Sequence, residues 1–204
     1  MIKTESVDQL IAFDRSLFER INLDWTNGFF DWLFPSITDL HKSPYFLLAV
    51  VALLGFWIYR ERQQAMKWIL VLILAAGCAD AFSYRVVKAA VNRPRPAEAG
   101  MQVTFRTQYH SGSSFPSNHT ANVFAAATVL TGAFPAAAPI WFLIAAAVGY
   151  SRIYVGVHFP LDVLGGALIG IAIGLILRRL FRKWLKPVRS DGDSSRERSS
   201  NPSS

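Results

Sequence analysis

Long apolar runs, separated by short polar connections, dominate the pattern of hydrophobic and polar residues along this chain. Five such runs cover residues 44–59, 66–87, 121–134, 136–155 and 161–180. A helix that crosses a bilayer needs roughly 20 consecutive apolar residues, and a chain inside lipid must satisfy its own backbone hydrogen bonds, which a helix does. The pattern therefore predicts an all-α membrane bundle of about five transmembrane helices.

The first 42 residues follow a different pattern. Residues 7–21 repeat apolar side chains at helical spacing, namely Leu10, Phe13, Leu17 and Ile21. Charged residues lie between them, which predicts an amphipathic helix on the membrane surface. Residues 24–40 mix aromatic and acidic side chains, which suits either a second interfacial segment or a sixth span. We therefore divide the chain into an interfacial N-terminal segment (1–42), a membrane domain (43–186) and a tail (187–204).

Composition and charge agree with a membrane protein. Hydrophobic residues make up 52% of the chain, which is high for a soluble domain. The net charge of +7 does not by itself indicate nucleic acid, because many cations gather beside the last apolar run, where basic residues usually mark the cytoplasmic end. The same rule places the 60–67 connection and the Ser-rich tail, which is predicted to be disordered, in the cytoplasm. The 88–118 connection and the 151–162 stretch then share the opposite face.

The 151–162 stretch carries ionisable side chains between two apolar runs, where such groups are expensive and usually functional. Pro160 suits the first turn of a helix, so His158 is predicted just before that helix and Asp162 within its first turn. The carboxylate can then reach the imidazole and leave the other ring nitrogen free as a nucleophile or base. Arg152 offers a planar cation suited to phosphate. Alternatively, Asp162 only complements the helix N-terminus and His158 only packs.

Two further stretches carry candidate chemistry on the same predicted face. Lys88 ends the second run, and Arg95 stands between two prolines that keep the chain extended. These cations can converge on an anion or contact lipid headgroups, as juxtamembrane cations commonly do. Ser117 is a natural N-cap for the third run, whose free N–H groups can bind phosphate, although ordinary capping alone would explain this serine. His119 is predicted at the same mouth as His158, where one imidazole could attack and the other protonate a leaving oxygen.

Taken in order, the three stretches resemble the motifs of the type 2 phosphatidic acid phosphatase superfamily, which are K-x6-R-P, P-S-G-H and S-R-x5-H-x3-D. The matching residues are Lys88, Arg95, Pro96, Pro116, Ser117, His119, Ser151, Arg152, His158 and Asp162. Asn118 replaces the glycine of the second motif. In that family this position is thought to work through its backbone N–H, so position 118 keeps its implied role.

The resemblance implies a role for each matching residue. His158 would be the nucleophile that forms a phosphohistidine, Asp162 would orient it, and His119 would act as general acid and then as general base. The phosphate oxygens would be bound by Lys88, Arg95, Ser117, Asn118 and Arg152. No metal and no cofactor is implied; a metal site at His158 and Asp162 would lack a third acidic ligand and would be opposed by the nearby cations.

The resemblance also implies a function and a location. The protein would be a multi-pass enzyme of the bacterial cytoplasmic membrane that removes phosphate, on the periplasmic or extracellular face, from a lipid of the undecaprenyl diphosphate or phosphatidate type. Its partners would be this lipid and the bilayer, and not nucleic acid. A glycine repeat in the last run, at Gly166, Gly170 and Gly174, is typical of close helix packing within a fold or between the subunits of a homodimer.

Two alternatives remain open. Vanadium haloperoxidases use the same motif set to hold vanadate, but they are generally large soluble proteins, whereas this chain is short and apolar. A non-catalytic lipid-phosphate binder would need the cations only, so the presence of both histidines and Asp162 disfavours it.

Overall fold

The computed structural model describes residues 4–109 and 111–185, and every regular element within these ranges is a helix. In chain order the α-helices are α1 (Thr4–Glu19), α2 (Gly28–Thr38), α3 (Pro44–Glu61), α4 (Gln63–Phe82), α5 (Lys88–Val91), α6 (Asn118–Ala133), α7 (Ala138–Tyr154) and α8 (Pro160–Leu180). Single π-helical turns follow α1 (Arg20–Asp24) and α4 (Ser83–Val87), and short 3-10 turns precede α3 (Leu40–Lys42) and α7 (Pro135–Ala137). The predicted all-α fold is confirmed, while the tail at 187–204 lies outside the described residues.

Four helical segments are long and apolar enough to cross a membrane: Pro44–Glu61, Gln63–Val91, Pro135–Tyr154 and Pro160–Leu180. The remaining predicted span, the third in chain order, corresponds to α6, which has 16 residues and is therefore only about 24 Å long at 1.5 Å per residue. It packs between α4, α7 and α8. Helix α2 has 11 residues, too few to cross a bilayer, so residues 24–40 do not contribute a sixth span.

Small residues bring α6 and α8 into close contact. Ala121, Ala125 and Val129 of α6 are completely buried. Backbone atoms of Ala121 and Ala125 lie against the glycine repeat of α8, where a Cβ on Gly166 would lie 2.5 Å from the carbonyl oxygen of Ser117. The repeat is thus used for helix packing inside the fold, and it sets the position of the start of α6 relative to the start of α8.

Helix α1 lies against this bundle with the face that carries Asp14 and Phe18. Leu10 and Phe13 are 50% and 61% exposed, whereas Asp14 and Phe18 are completely buried. Leu10 and Phe13 therefore point away from the protein interior, whereas Ile21 is buried. The reason is that Asp14 has polar partners inside the protein, so its side of the helix turns inward and the apolar side chains turn out to where lipid would lie. That this helix lies on the membrane surface stays a prediction.

Candidate active site

One cavity of about 770 Å³ gathers six of the eight residues that the sequence marks as candidates. These six are Lys88, Arg95, Asn118, His119, Arg152 and His158. The cavity opens at the end of the bundle where α6 and α8 begin, and no acidic side chain is among the described residues that line it. Such a cavity, with two imidazoles and several cations, is suited to a phosphate group.

His158 and Asp162 form the innermost part of this site. Proline at the first position of α8 leaves His158 just outside the helix, and Asp162 lies in the first turn. Oδ2 of Asp162 accepts a hydrogen bond from the backbone N–H of Phe159 at 2.8 Å and lies 3.6 Å from Nδ1 of His158. The imidazole is thus turned towards the carboxylate, at a distance slightly longer than a hydrogen bond.

Burial determines the resting charge of His158. It lowers the pKa of the imidazole to about 4, although the carboxylate of Asp162 acts in the opposite direction. The ring is therefore neutral at pH 7, and because Nδ1 is directed at the carboxylate, the lone pair of Nε2 is available on the cavity side.

Arg152 is held at the cavity wall by a residue from the N-terminal segment. Its Nη1 donates to Oγ1 of Thr38 at 3.0 Å, and Thr38 also bonds the hydroxyl of Ser151 at 2.9 Å. Ser151 already donates its proton to the carbonyl of Val148, so Thr38 is the donor to Ser151. The Nε of Arg152 is buried and has no hydrogen-bond partner among the described residues, which leaves a donor for an anion in the cavity.

Arg85, Lys88 and Arg95 also line the cavity, and the last two are tied to its wall by backbone carbonyls. Arg95 donates through Nε to Gly112 at 3.0 Å and through Nη1 to Val157 at 2.9 Å, and Lys88 donates through Nζ to Ser113 at 2.6 Å. Burial lowers the pKa of Arg95 from its ordinary value. The lowered pKa reflects the free energy that it costs to bury the charged guanidinium, and a bound anion would offset part of this cost by pairing with the cation.

At the start of α6, the capping residue Ser117 and the first two helical residues, Asn118 and His119, make different contacts. Ser117 is completely buried and caps the helix, because its Oγ accepts a hydrogen bond from the backbone N–H of Thr120 at 3.5 Å. The hydroxyl of Thr120 donates to the same Oγ at 3.0 Å. Ser117 does not line the cavity. The side-chain amide of Asn118 donates to Asp80 at 2.9 Å, and His119 stacks edge-on against His41, with 5.6 Å between the ring centroids.

Comparison with known proteins decides the family. The model of the PAP2 superfamily matches residues 64–186 of the chain, which include all of the cavity's candidate residues. The chain belongs to the PAP2 superfamily. The resemblance drawn from the three motifs is thereby confirmed.

Individual PAP2 proteins are similar over most of their length. Phosphatidylglycerophosphatase B of Bacillus subtilis is 30% identical over 85% of this chain and 83% of its own. Undecaprenyl-diphosphatase BcrC of the same species is 29% identical over 79% of each chain. The crystal structure of LpxE from Aquifex aeolicus is 36% identical, covers 80% of this chain and 93% of its own, and superposes with a TM-score of 0.62.

Three residues that contact the site in this PAP2 protein were not marked by the sequence. Thr38 holds Arg152. Arg93, which lies between Lys88 and Arg95 but is not a position of the motif, pairs with Asp162 and with Asp14. For Asp14 the sequence carried only a weak sign of a buried role, because a single acidic residue between apolar positions of an amphipathic helix is usually solvated.

Proposed function

We propose that this PAP2 protein is a membrane lipid phosphate phosphatase that works through a phosphohistidine on His158. The observation that carries the proposal is the single cavity in which a neutral, buried imidazole faces a second imidazole and three held cations. A non-catalytic binder would have no use for the pairing of His158 with Asp162. The four membrane-spanning candidates disfavour a soluble haloperoxidase.

The reaction takes place in two phosphoryl transfers. In the first, Nε2 of His158 forms a bond to phosphorus while the bond from phosphorus to the lipid oxygen breaks. Burial lowers the pKa of His119 to about 3, so this ring must first take up a proton, which the negative charge of the bound phosphate favours, and it then gives that proton to the leaving oxygen. In the second, His119 removes a proton from water as the water oxygen attacks phosphorus, and the N–P bond breaks to release inorganic phosphate. Splitting hydrolysis in this way replaces one difficult step by two easier ones.

The cations stabilise the charge that spreads over the phosphoryl oxygens during both transfers. Arg152 offers its unpaired Nε. Lys88 approaches from the start of α5, and Arg95 approaches from the connection between α5 and α6. Ser117 supports the site by capping the helix that carries Asn118 and His119. Because these donors are held by protein carbonyls and by Thr38, little reorganisation is needed when substrate binds.

The substrate is a phosphate or diphosphate ester of a lipid whose tail stays in the bilayer. The cavity opens at the ends of membrane helices, beside the exposed Tyr84 of the π-helical turn that follows α4, so a headgroup can enter without leaving the membrane. Cations at the far end of α8, Arg178 and Arg179, favour a cytoplasmic position for that end. The site would then open on the periplasmic or extracellular face of a bacterial cytoplasmic membrane.

The test is phosphate release by the detergent-solubilised protein in the presence of chelator. Undecaprenyl diphosphate, phosphatidate and phosphatidylglycerophosphate are offered at matched concentrations, because the names of two relatives point to different lipids. We expect release from at least one of them, inhibition by vanadate, and a loss of turnover in His158→Ala to the level of a blank.

Each competing interpretation has a distinct result. Parent-like turnover in His158→Ala refutes the nucleophile, and loss of turnover in chelator refutes the metal-free mechanism. Normal lipid-phosphate binding without any release supports the binder, and halide oxidation that depends on added vanadate supports the haloperoxidase. A homodimer stays a prediction, which size measurement of the same preparation would test.

A further inference from the structure

The guanidinium of Arg93 lies behind the cavity and contacts two buried carboxylates. Its Nη1 donates to Oδ1 of Asp162 at 2.6 Å, and its Nη2 donates to Oδ2 of Asp14 at 2.5 Å. Both carboxylates are completely buried. The guanidinium also covers the ring of Phe159, 4.3 Å from its centroid. A planar guanidinium can orient two carboxylates at once, which the single point charge of a lysine cannot do.

Asp14 brings the N-terminal helix into this arrangement. Its second oxygen, Oδ1, accepts a hydrogen bond from the backbone N–H of Leu161 at 2.8 Å. Leu161 lies in the first turn of α8, where N–H groups have no partner within the helix. Asp14 therefore caps α8 from α1 and places a negative charge where the helix dipole favours it. Burying a carboxylate is costly unless it is paired and hydrogen-bonded, and Asp14 is both.

The two pairings leave Asp162 with one oxygen for catalysis. Oδ1 is occupied by Arg93, so Oδ2 is the oxygen that faces His158. Without the charge of Asp14, Arg93 would have Asp162 as its only carboxylate partner and would compete with His158 for it. The orientation of Asp162, and through it the orientation of the imidazole, thus depends on a residue of α1 that is distant in sequence from both.

We propose that Asp14 and Arg93 are positioning residues for His158 and Asp162, so that the N-terminal helix completes the active site. The inference rests on the proposed function. When Nε2 of His158 bonds to phosphorus, the imidazole becomes cationic. Two carboxylates and one guanidinium carry a net negative charge, which this imidazolium neutralises. The network therefore stabilises the transition state more than the bound substrate, and its loss lowers kcat more than it raises KM.

The experiment compares Asp14→Asn with Asp8→Asn in the full-length protein. The asparagine keeps an oxygen for the N–H of Leu161 and removes the charge that pairs with Arg93, while Asp8 is an exposed aspartate on the same helix. We expect kcat of Asp14→Asn to fall roughly tenfold to a hundredfold, as for a misplacement of about 1 Å, with KM nearly unchanged. Asp8→Asn should match the parent, and Asp14→Glu should recover part of the loss.

A double variant separates positioning from mere anchoring. If Asp14 acts through Asp162, adding Asp14→Asn to Asp162→Asn lowers kcat little further, because the two residues work as one unit. A purely structural role would lower thermal stability and leave kcat of the folded fraction at the parent value, which overturns the inference. If the two substitutions lower kcat independently, so that their fold-losses multiply in the double variant, the inference is overturned as well.

Two further results keep the test decisive. If Asp14→Asn does not fold, Arg93→Lys takes its place and is expected to show the same selective loss of kcat. A parent protein that releases no phosphate overturns the proposed function and this inference with it, whereas an active parent with an unaffected Asp14→Asn overturns this inference alone.

Discussion

The contact between Gly166 and Ser117 allows a sharp test of how helix packing positions the catalytic residues. A Cβ added at Gly166 would lie 2.5 Å from the carbonyl oxygen of Ser117, where ordinary contact begins at 3.4 Å. The start of α6 must therefore retreat by about 0.9 Å, the difference between these two distances. Ser117 immediately precedes Asn118 and His119, and its N–H donates to the carbonyl of Asp162 at 3.0 Å. The displacement therefore acts directly on the site.

The expected magnitude of Gly166→Ala follows from this geometry. Overpacking a close contact costs roughly 1–3 kcal/mol, and the higher helix propensity of alanine returns roughly 0.5–1 kcal/mol. A net destabilisation of up to about 2.5 kcal/mol remains. The effect on turnover should be larger, because a misplacement of about 1 Å can cost on the order of a hundredfold in rate.

The assay combines thermal unfolding in detergent with phosphate release. Gly77→Ala is the matched control, because it makes the same substitution in an α-helix, where a new Cβ would meet nothing within 4 Å. We expect the control to be at least as stable and as active as the parent. A Gly166→Ala protein with parent-like turnover would refute the view that the α6–α8 contact sets the catalytic geometry.

Two further predictions concern single groups at the site. In an NMR titration of histidine labelled in the ring, with His158→Gln used for assignment, His158 should stay neutral until the pH falls to about 4, because burial lowers its pKa. The acid limb of kcat/KM that belongs to the nucleophile should therefore lie near that pH, and titration at the ordinary value of 6.5 would contradict the buried, neutral nucleophile. Thr38→Val removes the acceptor that holds Arg152. Since a hydrogen bond to a charged group contributes about 1.5–3 kcal/mol, kcat/KM should fall at least about tenfold. Thr26→Val, a control in the same N-terminal segment, should leave it unchanged, and equal kinetics in the two variants would show that Thr38 does not hold the phosphate-binding arginine.

Features that depend on neighbouring residues could be predicted from the sequence. The apolar runs predicted the helices, because hydrophobic length and helical backbone bonding are local requirements in lipid. Pro160 predicted the helix start that places His158 beside Asp162, and Ser117 caps α6 as its residue type favours. Motif spacing likewise predicted six of the residues that line the cavity, because each motif lies at the end of a helix on the same predicted face.

Features that depend on how distant segments pack were decided only by the tertiary structure. Arg93 and Asp14 are 79 residues apart, and Arg152 and Thr38 are 114 residues apart. The charge pattern of α1 predicted a solvated Asp14, since a carboxylate is normally buried only when a partner is present. The partner of Asp14 is Arg93, which lies in the connection between α5 and α6. The periodicity of residues within α1 therefore cannot reveal it. The physical reason is that hydrophobic patterning selects which helices form, whereas the pairing of buried charges depends on which faces those helices present to one another.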